Sequence, residues 1–383
     1  MKKVIAIDMR YVENPYSGLS RFSINIFKSL IKNSKNEDLF FIVLLPPINV
    51  YEKLGFFNNI DKSKIQYIFS KKERGLRWKI PFFIFDLKLY QKLKKLKVDL
   101  FLSPYIDPPI LPGIKVISTI HDLIFIRVRN YFNNFRFIKR SLSELRIILT
   151  ILYSNNILSV SQTTKDLLVS RYKFLPFLRE KLNDITVIYN GIINIKETSQ
   201  SCINKDLNFN GEYFLYVGDR RNHKNLFYTI ELIENYNFKF NKNFYLFIAG
   251  SISYKNFNLT KFINSKPFVK EIINPNDELL DKLYRNCVSL ILLSFEEGFG
   301  IPVIEALSRS SKVVLSDIKI FREIGSNYAL FLNHHDKKQH LNMLHDYLNQ
   351  EVKVDPQIIL KKWSWDLSSI KLKKFLLSQL LSK

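Results

Sequence analysis

A chain of 383 residues is long enough for two domains of ordinary size. Its 46% hydrophobic content excludes a disordered chain, and its two cysteines, Cys202 and Cys287, exclude a disulfide scaffold and point to a reducing compartment. The net charge of +23 is uneven, with 32 Lys and Arg against 15 Asp and Glu in residues 1–190; that half reads either as a face for a polyanion or anionic membrane surface, or as solvated lysine throughout.

The first residues, Met1-Lys2-Lys3-Val4-Ile5-Ala6-Ile7, have the basic start of a secretion signal. Asp8 and Arg10 end the apolar stretch too soon for one, and no run reaches the ~18 apolar residues of a membrane span. A cytoplasmic protein, or one peripheral on the inner face of the plasma membrane, is expected. Short apolar runs at residues 4–7, 39–45, 100–102, 116–120, 157–160 and 186–188 read as buried strands. Amphipathic stretches such as 21–31 and 85–96 lie between them, so βα alternation predicts a parallel sheet covered by helices. Residues 196–211 are polar and asparagine-rich and read as a linker. A second strand series follows at 213–217, 245–249, 289–293 and 313–315, and a helical tail with Trp363 and Trp365 closes the chain. The predicted organisation is an N-terminal domain 1–195, a linker 196–211, a C-terminal domain 212–355 and a tail region 356–383.

One segment carries most of the chemistry: Ser294-Phe295-Glu296-Glu297-Gly298-Phe299-Gly300-Ile301-Pro302-Val303-Ile304-Glu305-Ala306-Leu307. Apolar runs at 287–293 and 312–316 bracket it, so it reads as strand, glycine-rich loop, helix, strand. Pro302 fits the first helical position, where its missing N–H costs nothing. Glycines before a helix start make an anion site of free N–H groups. His334-His335 reads as a solvated loop.

This run resembles the E-x7-E signature of retaining, nucleotide-sugar-dependent glycosyltransferases of family 4, through Glu297 and Glu305 and the Gly-Phe-Gly-Ile-Pro wording between them. Other segments match in order: Ala6-Ile7-Asp8-Met9-Arg10; Ser17-Gly18-Leu19-Ser20-Arg21-Phe22, with Ser20 where a second glycine is usual; Ser103-Pro104-Tyr105; Thr119-Ile120-His121-Asp122; and Gly218 to Asn225. Asp277-Glu278-Leu279 to Leu283-Tyr284 and Phe321-Arg322-Glu323-Ile324-Gly325 flank the signature in the same way. The wording is nearest to mannosyltransferase-like members that build surface polysaccharide and lipopolysaccharide. The resemblance implies an α/β, GT-B architecture: two Rossmann-like domains facing a central cleft, with the C-terminal helix crossing back to the N-terminal domain. Ligands of such sheets bind beyond the strand carboxyl ends, where these motifs fall.

The implied reaction moves a hexose, mannose favoured, from a nucleotide-diphosphate sugar to a saccharide or polyprenyl-diphosphate-linked glycan. GDP-mannose is the favoured co-substrate and a UDP-sugar the alternative, with no further cofactor and no metal. Lys224 supplies a point charge for the diphosphate, with Arg220 or Arg221 as second cation and Gly218 ending the strand before them. Relatives often place an arginine directly after that glycine, where this chain has Asp219. Backbone N–H groups of Phe299, Gly300 and Ile301 complete the phosphate site. The resemblance assigns Glu297 to donor-sugar hydroxyls, with Glu296 as the alternative. Glu305, expected in the first helical turn, goes to the ribose, and His121 to the sugar and acceptor. Gly18 and Arg21 belong to a loop approaching the acceptor or the phosphates. Two further readings are a GT-B nucleotide-sugar epimerase, whose own wording is absent, and a basic nucleic-acid-binding protein, for which no recognition motif is found. Basic residues interleave with aromatics at 71–97 and 130–146; these stretches read either as segments lying on anionic lipid or as core helices with solvated basic faces.

Overall fold

The computed structural model describes residues 2–10, 12, 17–35, 37–48, 62–70, 87–128, 131, 136–192, 209, 211–252 and 256–381. The linker reading at 196–211 lies outside these, apart from Phe209 and Gly211, as do residues 71–86 and 132–135 of the two basic aromatic stretches. The chain forms two compact units, Met1–Gly191 with Ser364–Lys383, and Ile192–Trp363.

In the first unit the strands are β1 (Lys3–Asp8), β2 (Leu39–Leu45), β3 (Ile65–Phe69), β4 (Leu100–Ser103), β5 (Lys115–Ile120), β6 (Asn156–Ser159) and β7 (Thr186–Val187). They make one sheet in the order β3-β2-β1-β4-β5-β6-β7, and every pairing is parallel. Its helices are α1 (Gly18–Asn33), α2 (Leu87–Lys95), α3 (Ile124–Arg127), α4 (Arg136–Tyr153), α5 (Gln162–Tyr172) and α6 (Arg179–Asn183). A sheet covered on both faces wants apolar residues at successive positions, not alternate ones. Strand β2, Leu-Phe-Phe-Ile-Val-Leu-Leu, is such a run and is buried at all but one position. Helix α1 starts where Ser17 caps it, the hydroxyl accepting from the Ser20 N–H at 3.1 Å. It buries Phe22, Phe27 and Leu30.

The second unit repeats the plan with β8 (Tyr213–Val217), β9 (Tyr245–Gly250), β10 (Val269–Ile273), β11 (Ser289–Leu292), β12 (Val313–Ser316) and β13 (Ala329–Leu332). Their order is β10-β9-β8-β11-β12-β13, again all parallel. Its helices are α7 (Leu226–Phe240), α8 (Phe257–Asn264), α9 (Asp277–Asn286), α10 (Ile301–Leu307), α11 (Lys319–Gly325), α12 (His340–Asn349) and α13 (Pro356–Lys362). In each sheet the winding direction reverses once, between β1 and β4 and between β8 and β11. At such a point the loops leaving two neighbouring strands diverge and open a crevice for ligand.

The tail divides. Helix α13 stays with the second unit, whereas α14 (Trp365–Leu381) belongs to the first. It packs on α1, with Leu372 and Leu376 buried, the Asn33 amide donating to Ser369 at 2.7 Å and Lys115 donating to the Gln379 carbonyl at 2.8 Å.

Candidate active site

The second unit brings most of the expected residues together at its reversal point. The loop after β8 carries Gly218 to Asn225, and the loop after β11 carries Ser294 to Gly300. They are tied by a backbone bond from the Phe295 N–H to the His223 carbonyl at 2.8 Å. This places Lys224 against Glu297: the ammonium donates to both carboxylate oxygens, at 2.6 and 2.8 Å. Both side chains are largely withdrawn from water, 18% and 9% exposed. The Ser294 hydroxyl donates to the same carboxylate at 2.8 Å. Glu297 is therefore fixed in position by two donors from two loops.

Two glycines let the loops approach. Gly250 ends β9, and a Cβ there would lie 2.3 Å from the Gly218 carbonyl oxygen. Gly300 has φ +99°, and a Cβ would lie 2.9 Å from the Phe321 ring. Gly300 is the N-cap of α10, and no side chain caps that helix. Ile301 is the first helical residue and Pro302 the second, one position later than expected and still among those whose N–H has no intrahelical partner. Glu305 is fifth, in the second turn and not the first, because the helix begins one residue earlier than expected, directly after the left-handed Gly300. Its carboxylate accepts from the Tyr284 hydroxyl of α9 at 2.8 Å. Behind it Asp281, 2% exposed, takes Arg309 at 2.7 Å and Arg285 at 2.8 Å. Arg309 also donates to the Glu305 carbonyl at 2.9 Å and lies 5.3 Å from the Tyr284 ring centre.

The two candidate arginines part. Arg220 is buried, its guanidinium donating to Glu271 at 2.7 Å and to the Ser251 carbonyl at 3.0 Å. Arg221 is on the surface, 3.0 Å from Asp219. His223 is buried, and burial followed by the nearby Lys224 charge lowers its pKa to about 4. It is neutral at pH 7. Burial, reinforced by the Asp219 and Glu297 charges, raises the Tyr216 pKa, and its hydroxyl stays a donor to the Asp219 carbonyl at 2.6 Å.

The remaining candidates lie in the first unit. His121 follows β5, and its Nε2 is 2.7 Å from the Pro104 carbonyl beyond β4. A carbonyl only accepts, so Nε2 carries the proton. The ring meets Phe22 edge-on at 4.9 Å. Burial lowers its pKa to about 4 against the opposing effect of the Pro104 bond, so the imidazole is neutral at pH 7. Asp8, the last residue of β1, and Arg10 just beyond it form a buried two-pronged pair at 2.7 and 2.6 Å. Gly18 opens α1, exposed, with no atom within 4 Å of a would-be Cβ. Arg21 follows one turn later, half-buried.

Sequence reasoning passed over Asp281, Arg309 and the role of Tyr284, since each acts on a charge brought near only by folding, and Ser294, whose three-residue spacing to Glu297 carries no signal of its own. It also misread His334. That side chain is half-buried, 3.1 Å from the Ser294 carbonyl and 4.8 Å from the Phe295 ring centre. The turn after β13 lies beside the one after β11 because both strands flank β12. Among the described residues no group of three or more His, Cys, Asp or Glu could hold a metal, and no helix is long and apolar enough to cross a membrane.

This arrangement coincides with two family profiles. Residues 53–193 match Glycosyltransferase Family 4, and residues 202–356 match Glycosyl transferases group 1. Together they span more than half of the chain, which belongs to the family 4, group 1 glycosyltransferases of GT-B fold. Among individual proteins, it is 28% identical over 223 residues to the O-antigen chain mannosyltransferase RfbU of Salmonella typhimurium, a match spanning 57% of each chain. It is 33% identical over 96 residues to the serotype-specific mannosyltransferase WbdA of Escherichia coli, covering 24% of this chain and 12% of that protein. The chain thus spans little more than half the length of the first relative and far less of the second. Solved structures share the fold over nearly the full length. A glycosyltransferase from Rickettsia africae has TM-score 0.69 at 18% identity, covering 100% of both chains. Sucrose-phosphate synthase from Thermosynechococcus elongatus has TM-score 0.70 at 14% identity, covering 98% of both. WaaG, a glycosyltransferase of lipopolysaccharide biosynthesis, has TM-score 0.63 at 14% identity, covering 97% of this chain and 95% of its own.

Proposed function

We propose that the chain is a retaining hexosyltransferase that moves mannose from GDP-mannose, or another hexose from a UDP-sugar, to a saccharide or polyprenyl-diphosphate-linked glycan in lipopolysaccharide or surface-polysaccharide assembly. The observation that carries this reading is the Lys224–Glu297 pair between the loops after β8 and β11, with Glu305 held separately by Tyr284. A nucleotide-diphosphate sugar needs a cation at its diphosphate and acceptor groups for its hydroxyls at two separate places. Lys224 answers the growing negative charge of the leaving diphosphate. Arg221 is the better second cation, since Arg220 is committed to Glu271. Backbone N–H groups at Phe299, Gly300 and Ile301 add donors. Glu297 accepts from sugar hydroxyls and Glu305 from the ribose, each a two-oxygen acceptor.

In the reaction the bond from the anomeric carbon to the diphosphate oxygen breaks. The acceptor oxygen bonds that carbon on the same face. Its proton passes to the leaving phosphate oxygen, so no side-chain base is required. His121, neutral with its proton on Nε2, offers Nδ1 as an acceptor toward the sugar or the acceptor hydroxyl. The mannosyltransferase names of the similar proteins support mannose and the O-antigen setting. Helix α4, with exposed Phe137 and Ile138 beside Lys139 and half-buried Arg140, supports docking on an anionic inner-leaflet surface. No binding to anionic vesicles in a flotation assay would remove the docking part of the proposal.

The test is a thermal-shift panel of nucleoside diphosphates and nucleotide sugars, followed by mass-spectrometric detection of transfer to lipid-linked glycan. The expected result is stabilisation by GDP-mannose that Glu305→Ala abolishes. Stabilisation by UDP-sugars alone would overturn the mannose assignment, and none with any nucleotide would overturn the transferase reading of the site.

A further inference from the structure

Resting on the transferase reading, we propose that His334 is a positioning residue that sets Glu297 for the donor sugar by clamping the end of β11. Glu297 is oriented by the Ser294 hydroxyl at 2.8 Å, so its place depends on where the Ser294 backbone sits. The Ser294 carbonyl takes two donors, the Ser316 hydroxyl ending β12 and the His334 imidazole at 3.1 Å. The same imidazole lies against Phe295, ring centres 4.8 Å apart, and the Phe295 N–H is the bond to His223 beside Lys224. His334 thus touches both residues that launch the loop, one by hydrogen bond and one by ring contact, while touching neither Lys224 nor Glu297.

The imidazole suits this task. It faces a carbonyl, so Nε2 must carry the proton, and Nδ1 is buried without a hydrogen-bond partner. Burial first, with the Lys337 and His335 charges, lowers its pKa against the opposing effect of the Ser294 bond, which favours the neutral imidazole. Clamps of this kind matter because a reacting group displaced by about 1 Å can cost a hundredfold in rate.

Three variants separate positioning from bulk stability. His334→Phe keeps a ring against Phe295 and loses the donor. His334→Gln restores an N–H near the Nε2 position. His334→Leu loses both. Hydrogen exchange of the backbone amides of residues 294–298 is read without ligand, beside kcat/KM for the nucleotide-sugar donor. We expect faster exchange and a loss of about tenfold to a hundredfold in His334→Phe and His334→Leu, with His334→Gln within a fewfold of the unmodified chain. Unchanged exchange in His334→Phe, or equal impairment of the Gln and Phe variants, would overturn the proposal. Were the unmodified chain to transfer no sugar while the exchange difference held, the transferase reading would fall and the clamp would stand.

Discussion

The two units share a topology and differ in what they place on it. Both are parallel sheets wound outward from a central pair, β1 with β4 and β8 with β11. Beyond β8 and β11 the second unit sets opposite charges against each other across two loops, Lys224 with Glu297. At the end of β1 the first unit pairs Asp8 with Arg10 two residues on, and beyond β5 it holds a neutral histidine. A pair spanning two loops can be parted by a ligand that offers each member something better. A pair two residues apart at one strand end mainly fixes the turn that leaves it. The topology provides the crevice in both units, and the second adds a cross-loop charge pair that, under the proposed function, a ligand would part.

The sharpest way to break this comparison is to remove one member of the cross-loop pair. Lys224→Ala should cost about 10²–10³ in kcat, the scale seen when one preorganised group at a developing charge is lost. It also strands a nearly buried carboxylate, costing about 3–5 kcal/mol of stability. Combining Lys224→Met with Glu297→Gln should recover most of the stability and none of the activity. Recovery of transfer in the double variant would mean the pair is structural, and the contrast between the units would vanish. Gly300→Ala is expected to act next most strongly. A left-handed φ of +99° with the Phe321 ring in the way costs about 1–3 kcal/mol, and relieving it moves Phe299 and Ile301. Denaturant unfolding and nucleotide affinity should fall together; unchanged affinity would take the backbone of this loop out of the site.

Acid compares the units directly, since each holds a buried histidine with a pKa lowered to about 4, His121 in the first and His223 in the second. Their folded pKa values near 4 lie below the ordinary 6.5. The unfolded chain therefore takes up protons that the folded chain refuses as pH falls from 6.5 toward 4, and stability is lost across that window. Each unit should lose stability between pH 6.5 and 4, and His121→Phe should flatten the loss for the first unit alone. Unfolding curves at several pH values, read for the first unit by the fluorescence of its two tryptophans, Trp78 and Trp365, in a Trp363→Phe background, check this. No difference between the variant and its parent would show that His121 is protonated in the folded chain.

The sequence made the interior strands and one edge, β7, visible and hid the other three edges. The strands it missed, β3, β10 and β13, all lie at sheet margins. All three are only partly buried; β3, Ile-Gln-Tyr-Ile-Phe, and β10, Val-Lys-Glu-Ile-Ile, lack the continuous apolar run that marked β2, whereas β13, Ala-Leu-Phe-Leu, is apolar throughout and was passed over. The site divided similarly. Glu297, Glu305, Gly300 and Lys224 were legible because their spacing along the chain carries the signature. The groups around them were not, because Tyr284 reaches Glu305 from α9, Asp281 reaches Arg309 from the same helix and His334 reaches Ser294 from the turn after β13, and such contacts leave no spacing in the sequence. His334 next to His335 looked like a polar turn, and only the adjacency of β11 and β13 to β12 turns it inward.

The smallest expected effect concerns the helix that returns to the first unit. Helix α14 meets α1 through an ion pair, Lys32 with Asp366 at 3.2 Å, whose side chains are 67% and 49% exposed. It also buries Leu372 and Leu376 completely or nearly so. An exposed pair gains little, because water screens the attraction and ordering two side chains costs entropy, so Lys32→Ala should cost about 0.2–1 kcal/mol. Leu376→Ala removes buried methyl groups and leaves a cavity, costing about 2–5 kcal/mol. Chemical denaturation of the two variants at low and high salt distinguishes the contributions. The lysine variant should approach the unmodified chain as salt rises, and the leucine variant should keep its deficit. A larger loss from Lys32→Ala than from Leu376→Ala would mean that charge, and not apolar packing, holds the returning helix in place.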